Sequence, residues 1–313
     1  MDKISTRQAY GEALAELGAD ERIVVLDADL QCCTRTDAFA ARYPERARNV
    51  GIAEANMVSM AAGLATCGKM VFVNSFAMFT AGRAFEQIRN SLAYPHLNVK
   101  VIGTHAGVTV GKDGATHQCL EDLAAMRSIP GMVVLSPCDA NETRLATKAM
   151  AQYDGPCFMR LGRLVVDQCT NLIDGYTFEL GKASKLCDGK DLTVIATGLM
   201  VQEALKAKEL LAQDGISVAI LDMHTIKPLD AEAIIAAAKA TGAIVTAEEA
   251  NILGGLGSAV AEVVCENYPV PVVRVGVQDV FGRSGNPEEL MEYYHITAAD
   301  IVEKAKVALS MKK

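Results

Sequence analysis

Short apolar, β-branched runs alternate with Ala-rich stretches of helical period from one end of the chain to the other. This is the pattern of an α/β fold of doubly wound parallel sheets whose strands are buried on both faces. In the first half the runs predict strands near 22–27, 70–74, 99–103 and 132–135. Between them the spacing predicts helices over 6–17 closed by Gly18, 54–67 closed by Gly68, around 81–92, and over 141–152. A second set follows a polar stretch, with strands near 192–196, 218–221, 243–246 and 272–275 and helices near 201–213, 231–239 and 256–267. The apolar pattern lapses between about 170 and 190, where Gly175, Gly181 and Gly189 cluster, so the reading is of two domains, 1–175 and 188–313. The halves share an architecture but no sequence repeat.

Composition narrows the class. The 313 residues, half of them hydrophobic and 22% charged with 9 Pro, suffice for two ordinary cores and exclude disordered or collagen-like chains. A net charge of -8 with no dense Lys/Arg run argues against a nucleic-acid partner. No apolar stretch reaches the ~18 residues of a membrane span. The polar opening from Met1 to Gln8 does not read as a signal peptide and leads straight into the first helix, as a genuine start would. Nine cysteines, scattered apart from the Cys32, Cys33 pair and without a C-x-x-C, read as reduced thiols in a cytoplasmic protein with no zinc site.

In open α/β sheets ligands sit beyond the carboxyl ends of the strands, so the loops after the strands are where chemistry is expected. The first, Asp27-Ala28-Asp29-Leu30-Gln31-Cys32-Cys33-Thr34, suits helix capping by its Asp and Thr as well as it suits a site. In Gly51-Ile52-Ala53-Glu54-Ala55-Asn56-Met57 a lone carboxylate opens an apolar helix. It suits the helix dipole, while burial would favour its protonated form and let it share a proton with a ligand. Phe76 and Phe79, three apart after a strand, form one face if the segment is helical and offer a flat wall for a ring, although aromatics at this spacing are commonly plain core. The most telling loop runs from Gly103 to Gln118 and carries two of the five histidines, His105 and His117, with glycines between. Two imidazoles on one polar loop suit proton transfer or oxyanion binding better than a metal. In the second half, Asn251-Ile252-Leu253-Gly254-Gly255-Leu256-Gly257-Ser258 opens a helix but departs from G-x-G-x-x-G at Val260, and reads as a structural turn.

Together these loops resemble the C-terminal half of transketolase, which also exists as a separate subunit. The likeness covers essentially the whole chain and is most specific in G-I-A-E-A-N-M and T-H-A-G-V-T-V-G-K-D-G-A-T-H-Q. It implies a pyrimidine-binding domain followed by the transketolase C-terminal domain, and thiamine diphosphate bound between two chains as cofactor. Glu54 falls on the glutamate that hydrogen-bonds the aminopyrimidine ring nitrogen remote from the exocyclic amine, favouring the imino form that takes the thiazolium proton. By the same likeness Phe79 stacks on the pyrimidine with Phe76 beside it, and Asp29 joins the cofactor contacts. His117 lies near the transferred group as a proton-transfer and oxyanion-holding residue beside Glu54. Arg7, Cys33, His105, Asp113 and Arg163 line the channel for the sugar phosphate together with His117.

Two departures matter: Gly82 stands where many transketolases carry a third aromatic, and Cys33 where they carry a phosphate-contacting serine. A thiol is the poorer hydrogen-bond partner for phosphate, which places the usual substrate in question. The G-D-G motif that holds the diphosphate through magnesium is missing. Magnesium takes oxygen ligands, so an N-terminal transketolase subunit is expected to supply them, in a heterotetramer of two chains of each kind. The activity implied is transfer of a two-carbon ketol unit from a ketose phosphate to an aldose phosphate in the pentose phosphate pathway. The alternatives are the beta subunit of a 2-oxoacid dehydrogenase first component, against which D-G-x-T-H-Q and the two arginines argue, and a specialised transketolase for a branched sugar phosphate or a sulfosugar. A deoxyxylulose-phosphate synthase would be a much longer chain. A non-catalytic subunit on the same fold is opposed by Glu54, Phe79 and His117 together.

Overall fold

The computed structural model describes residues 3–312. In chain order the first half runs β1 (Ile4–Ser5), α1 (Thr6–Leu17), β2 (Ile23–Asp27), α2 (Gln31–Thr34), α3 (Asp37–Arg42), β3 (Ala47–Asn49), α4 (Glu54–Thr66), β4 (Met70–Phe76), α5 (Phe85–Gln87), β5 (Val99–Thr104), α6 (Asp122–Ser128), β6 (Val133–Leu135), α7 (Ala140–Gln152), β7 (Cys157–Arg160) and β8 (Val165–Val166). The second half adds β9 (Ser184–Cys187), β10 (Leu192–Ala196), α8 (Met200–Gln213), β11 (Val218–Asp222), β12 (Thr225–Lys227), α9 (Ala231–Thr241), β13 (Ile244–Asn251), α10 (Leu256–Asn267), β14 (Val272–Val277), α11 (Pro287–Tyr293) and α12 (Ala298–Ser310).

The expected α/β architecture is present as two large sheets, in the orders β12-β6-β7-β5-β4-β2-β3 and β14-β13-β10-β11-β9, beside a separate antiparallel pair of β1 with β8. Both large sheets are parallel except at one edge, where β12 runs antiparallel to β6 and β9 antiparallel to β11. The edge strand β12 comes from the second half of the chain, so the second half completes the first sheet. The core is shared in the same way. Val71, Val101, Met132 and Phe158 belong to one buried cluster with Ile195, Leu221, Met223 and Ile226. The interior strands are buried along their whole length, as helices on both faces require.

One local expectation is corrected, one strand goes beyond the pattern, and one expected helix end has its own physical reason. The stretch around 81–92 is not one α-helix: wide π-type turns at Met78–Arg83 and Ile88–Ala93 flank α5. Such turns aim side chains differently from an α-helix and are frequent at functional sites. Strand β7, between β5 and β6, follows no β-branched run, since its residues are Cys157, Phe158, Met159 and Arg160. Gly18 closes α1 in right-handed geometry; it is there for room, because a Cβ would stand 2.1 Å from the Tyr43 ring.

Candidate active site

The register of the first sheet brings the predicted loops to one edge. Asp27 pairs with Asn49 on one side and Asn74 on the other, and Phe76 pairs with Thr104, so the carboxyl ends of β3, β2, β4 and β5 stand in a row. After β2, the Asp27 carboxylate accepts from the Leu30 amide at 2.6 Å and from the Thr34 and Thr36 hydroxyls at 2.6 and 3.1 Å. Asp27 and Thr34 therefore shape this loop, but neither caps a helix: the N-cap residues of α2 and α3 are Leu30 and Thr36, without a side-chain cap bond. Asp29 is exposed in left-handed backbone, φ 65°, and accepts at 2.8 Å from the Asn49 amide nitrogen. Asn49 in turn accepts from the backbone amides of Asp29 and Gly51, which fastens the chain leading to Glu54. Glu54 is the first residue of α4 and is 8% exposed.

Four rings gather beyond β4 and β5. Phe76 and Phe79 stack with centroids 5.8 Å apart and planes at 18°. His117 meets Phe79 edge-on at 5.3 Å, and His105 lies 4.0 Å from Phe76. Each imidazole Nδ1 is 3.0 Å from the hydroxyl of the preceding threonine, Thr104 or Thr116, which orients the other ring nitrogen away from the backbone. His105 is buried, and burial followed by the charges of Arg7, Arg163, Arg35 and His117 pushes its pKa down to about 3, so it is a neutral imidazole at physiological pH.

Three guanidiniums are near enough for their charges to act on that imidazole. Arg7 on α1 donates to the Cys33 carbonyl at 2.7 Å, and Arg163 donates to the Val110 carbonyl at 2.6 Å. Asp113 stands 3.9 Å from Arg163, a loose pair with both side chains about 40% exposed. Burial, then the nearby Arg35 charge, pushes the Arg7 pKa down. Cations drawn together with so little counter-charge make a seat for an anion. The predicted side chains thus follow the strands of one sheet edge or sit on α1: Phe76, Phe79, His105 and His117 form the ring cluster, Arg7 reaches the Cys33 carbonyl, Asp113 stands beside Arg163, and Glu54 opens α4.

Several contributors carried no signal in the sequence pattern. Arg35 is one. Others brace the histidine loop from the second half: the Glu249 carboxylate accepts from the Thr109 amide at 2.7 Å, and Gln118 donates to the carbonyls of Val108 and Arg283. Gly107 is required here, since its φ is +81° and a Cβ would sit 2.2 Å from Glu249 Oε1. Arg160 locks this arrangement by pairing with Asp122 at 2.8 Å and donating to the Glu249 carbonyl at 2.6 Å. The glycine-rich turn before α10 is structural: Glu248 accepts from the Leu256 and Gly257 amides, both at 2.8 Å, and so fills the helix N-terminus with its own carboxylate. Its pKa is nonetheless pushed up to about 6 by burial. Elsewhere, buried Cys138, Glu142 and Asp222 place donor atoms within 4.8 Å of one another. With its thiol this cluster does not suit magnesium, which takes oxygen ligands. No helix among the described residues is long and apolar enough to cross a membrane.

Comparison with known proteins gives the same picture. Residues 2–168 match the family described as transketolase, pyrimidine binding domain, and residues 181–301 the transketolase, C-terminal domain. The chain is 50% identical to a putative transketolase C-terminal section of Methanocaldococcus jannaschii, over 98% of this chain and 96% of that one. It is 46% identical to a 6-deoxy-6-sulfo-D-fructose transketolase subunit of Clostridium sp. (strain MSTE9), over 96% and 92%. It is also 41% identical to one subunit of an apulose-4-phosphate transketolase of Phocaeicola vulgatus, over 96% of both. Among solved structures, a split gene transketolase in the form of an inactive beta4 tetramer superposes with TM-score 0.91 at 49% identity over 100% of both chains.

Proposed function

The chain belongs to the transketolase family, and from that premise we propose that it is the C-terminal subunit of a two-subunit transketolase dependent on thiamine diphosphate. The observation that carries this reading is the convergence, on one sheet edge, of a nearly buried carboxyl, a stacked aromatic pair and two threonine-oriented imidazoles beside an uncompensated guanidinium cluster. A flat aromatic wall with a sequestered carboxyl fits an aminopyrimidine, and the guanidiniums fit the anionic tail of a sugar.

Thiamine diphosphate, when bound, supplies the carbon nucleophile that carries the two-carbon unit. This chain's residues do the rest. Glu54 holds a proton at the pyrimidine ring nitrogen, Phe79 and Phe76 fix the ring plane, and Asp29 joins the cofactor contacts. His117, edge-on to Phe79, moves a proton at the substrate oxygen and holds its developing charge. Neutral His105 donates or accepts without adding charge, while Arg7 and Arg163 hold the tail, with Cys33 and Asp113 lining the same channel. The residues 1–175 form the pyrimidine domain and 188–313 the C-terminal domain in this reading.

Magnesium and the diphosphate are held by an N-terminal subunit docked over this edge in a cytoplasmic heterotetramer. The support is the lack of a G-D-G motif here and Ile52, 81% exposed two residues before Glu54. A second reading, a transketolase specialised for a branched sugar phosphate or sulfosugar, is favoured by Cys33 in place of a phosphate-contacting hydroxyl. The test is a ketol-transfer assay of this chain with and without the N-terminal subunit. The expected result is turnover only in the mixture, slowed at least ~100-fold by Glu54→Ala at saturating cofactor, the low end of what a positioned proton-transfer group contributes. Turnover by the chain alone, or near-normal turnover of Glu54→Ala, overturns the proposal.

A further inference from the structure

The segment after β2 contributes a further cation, Arg35, at the end of α2. Arg35 has left-handed backbone, φ 67° and ψ 21°, an uncommon conformation for a residue with a side chain. The neighbouring helix is built to accept it there. Gly11 of α1 faces Arg35 so closely that a Cβ would stand 2.3 Å from the Arg35 carbonyl oxygen and 2.6 Å from its Cβ. Gly11 lies four residues beyond Arg7, on the same face of α1. Arg35 is thereby pressed against the helix face that carries Arg7. The Nε atoms of Arg7 and Arg35 are both buried and have no hydrogen-bond partner. Unpaired buried donors on cations are costly unless a ligand accepts from them.

The charges can be counted. Arg7, Arg35 and Arg163 contribute three positive charges, and Asp113, 3.9 Å from Arg163, one negative. His105 is neutral, and His117 and Cys33 are the other titratable groups facing the cluster. The three guanidiniums and Asp113 therefore leave among themselves an excess of two positive charges before the ligand arrives. A phosphate monoester, with its second pKa about 6, balances that excess at neutral pH; a sulfonate of the same shape balances half of it.

We propose that Arg35 is a specificity residue that sets this pocket to prefer a donor with a dianionic phosphate-ester tail over one with a monoanionic sulfonate tail. The inference rests on the pocket being the seat of the donor's anionic tail. Arg35 sits two residues beyond Cys33, so one short segment presents both a thiol and a guanidinium. The preference is carried by charge count in place of a neutral hydrogen bond.

Calorimetric titration of the full chain with ethyl phosphate and with ethanesulfonate tests this without a loaded cofactor. At pH 7.5 the wild-type chain is expected to bind the phosphate at least ~10-fold more tightly, the worth of one charge-assisted hydrogen bond. At pH 5.0 both probes are monoanions and the ratio should fall below ~3-fold, while any change in the protein's own charge acts on both alike. Asn tolerates the left-handed backbone, so Arg35→Asn should keep the fold, weaken ethyl phosphate more than ethanesulfonate and so cut the pH 7.5 preference at least ~3-fold; Arg35→Lys should retain it. An unchanged ratio in Arg35→Asn overturns the assignment of Arg35 and leaves the pocket reading standing. Unchanged affinity for both probes in Arg163→Asn overturns the pocket reading itself, and the inference with it.

Discussion

Arg160→Met removes the cation at the centre of the buried network that joins the two halves. Arg160 and Asp122 are 6% and 0% exposed, and Glu249, whose carbonyl Arg160 also holds, is 3% exposed. Met preserves volume and apolar stem, so the loss is chiefly electrostatic. Breaking a buried pair by removing one partner costs about 3–5 kcal/mol, because the other charge is stranded. At ~2 °C per kcal/mol for a chain of this size, the melting temperature should fall by roughly 6–10 °C. The pH dependence is a second constraint. Burial already pushes the Asp122 and Glu249 pKa values up, so each folded-state pKa lies above its unfolded value, and each contribution to stability is lost as pH rises. Without Arg160 both are pushed further up. The penalty should therefore be smallest at the acid end of the range from pH 4.5 to 7.5, where both carboxyls take up protons, and grow towards pH 7.5. Scanning calorimetry of Arg160→Met against wild type across that range measures both quantities. Adding Asp122→Leu, which removes the stranded charge, should restore at least ~half of the loss. A penalty below ~1 kcal/mol at pH 7.5, or one that does not grow with pH, refutes the account.

Two further substitutions probe other groups. Asp222 is fully buried with neither carboxyl oxygen hydrogen-bonded, and burial followed by the Glu142 charge pushes its pKa up, so it costs stability increasingly as pH rises above the ordinary carboxylate range. Asp222→Asn should then raise stability by about 1–3 kcal/mol at pH 8 and by little at pH 4, read by urea denaturation; a loss at pH 8 would contradict it. In the assembled enzyme, Arg163→Ala should raise KM for phosphorylated ketoses far more than for hydroxypyruvate and leave kcat nearly unchanged, because an interaction equal in ground and transition states affects apparent affinity alone. Equal impairment of both donors in steady-state kinetics would remove Arg163 from the tail pocket.

The parts of the fold legible in the sequence are those where local preference and tertiary demand agree. Strands β2 and β10 are largely Val, Ile and Leu, β4 and β5 are built around Val, Ile and Phe, and α1 carries its own cap, with Ser5 accepting from the Gln8 amide. Strand β7 was not legible because Cys, Phe, Met and Arg owe their extended form to the strands on either side, and Arg160 is tolerated in it only because Asp122 waits across the sheet end. The π-type turns after β4 were hidden for a related reason: the Ala-rich composition suits an α-helix, and nothing local announces the extra residue per turn.

The site divides along the same line. Glu54, Phe76, Phe79, His105 and His117 could be singled out because each is chemically unusual beyond the end of a strand, and the register that pairs Asp27 with Asn74 and Phe76 with Thr104 brings those strand ends side by side. Residues whose role depends on a partner distant in sequence were silent. Glu249 reads as the end of a strand until its carboxylate meets the Thr109 amide, 140 positions away. Arg35 reads as a surface charge in a polar loop, and Gly11 as a mild defect inside a helix. Only their contact gives either a meaning, since the missing side chain of one makes the space in which the other holds its strained backbone beside Arg7. Reading a site from sequence therefore favours groups that act on the ligand over groups that hold the backbone for them. Specificity, which depends on the second kind, is the property most often decided where the sequence pattern is plainest.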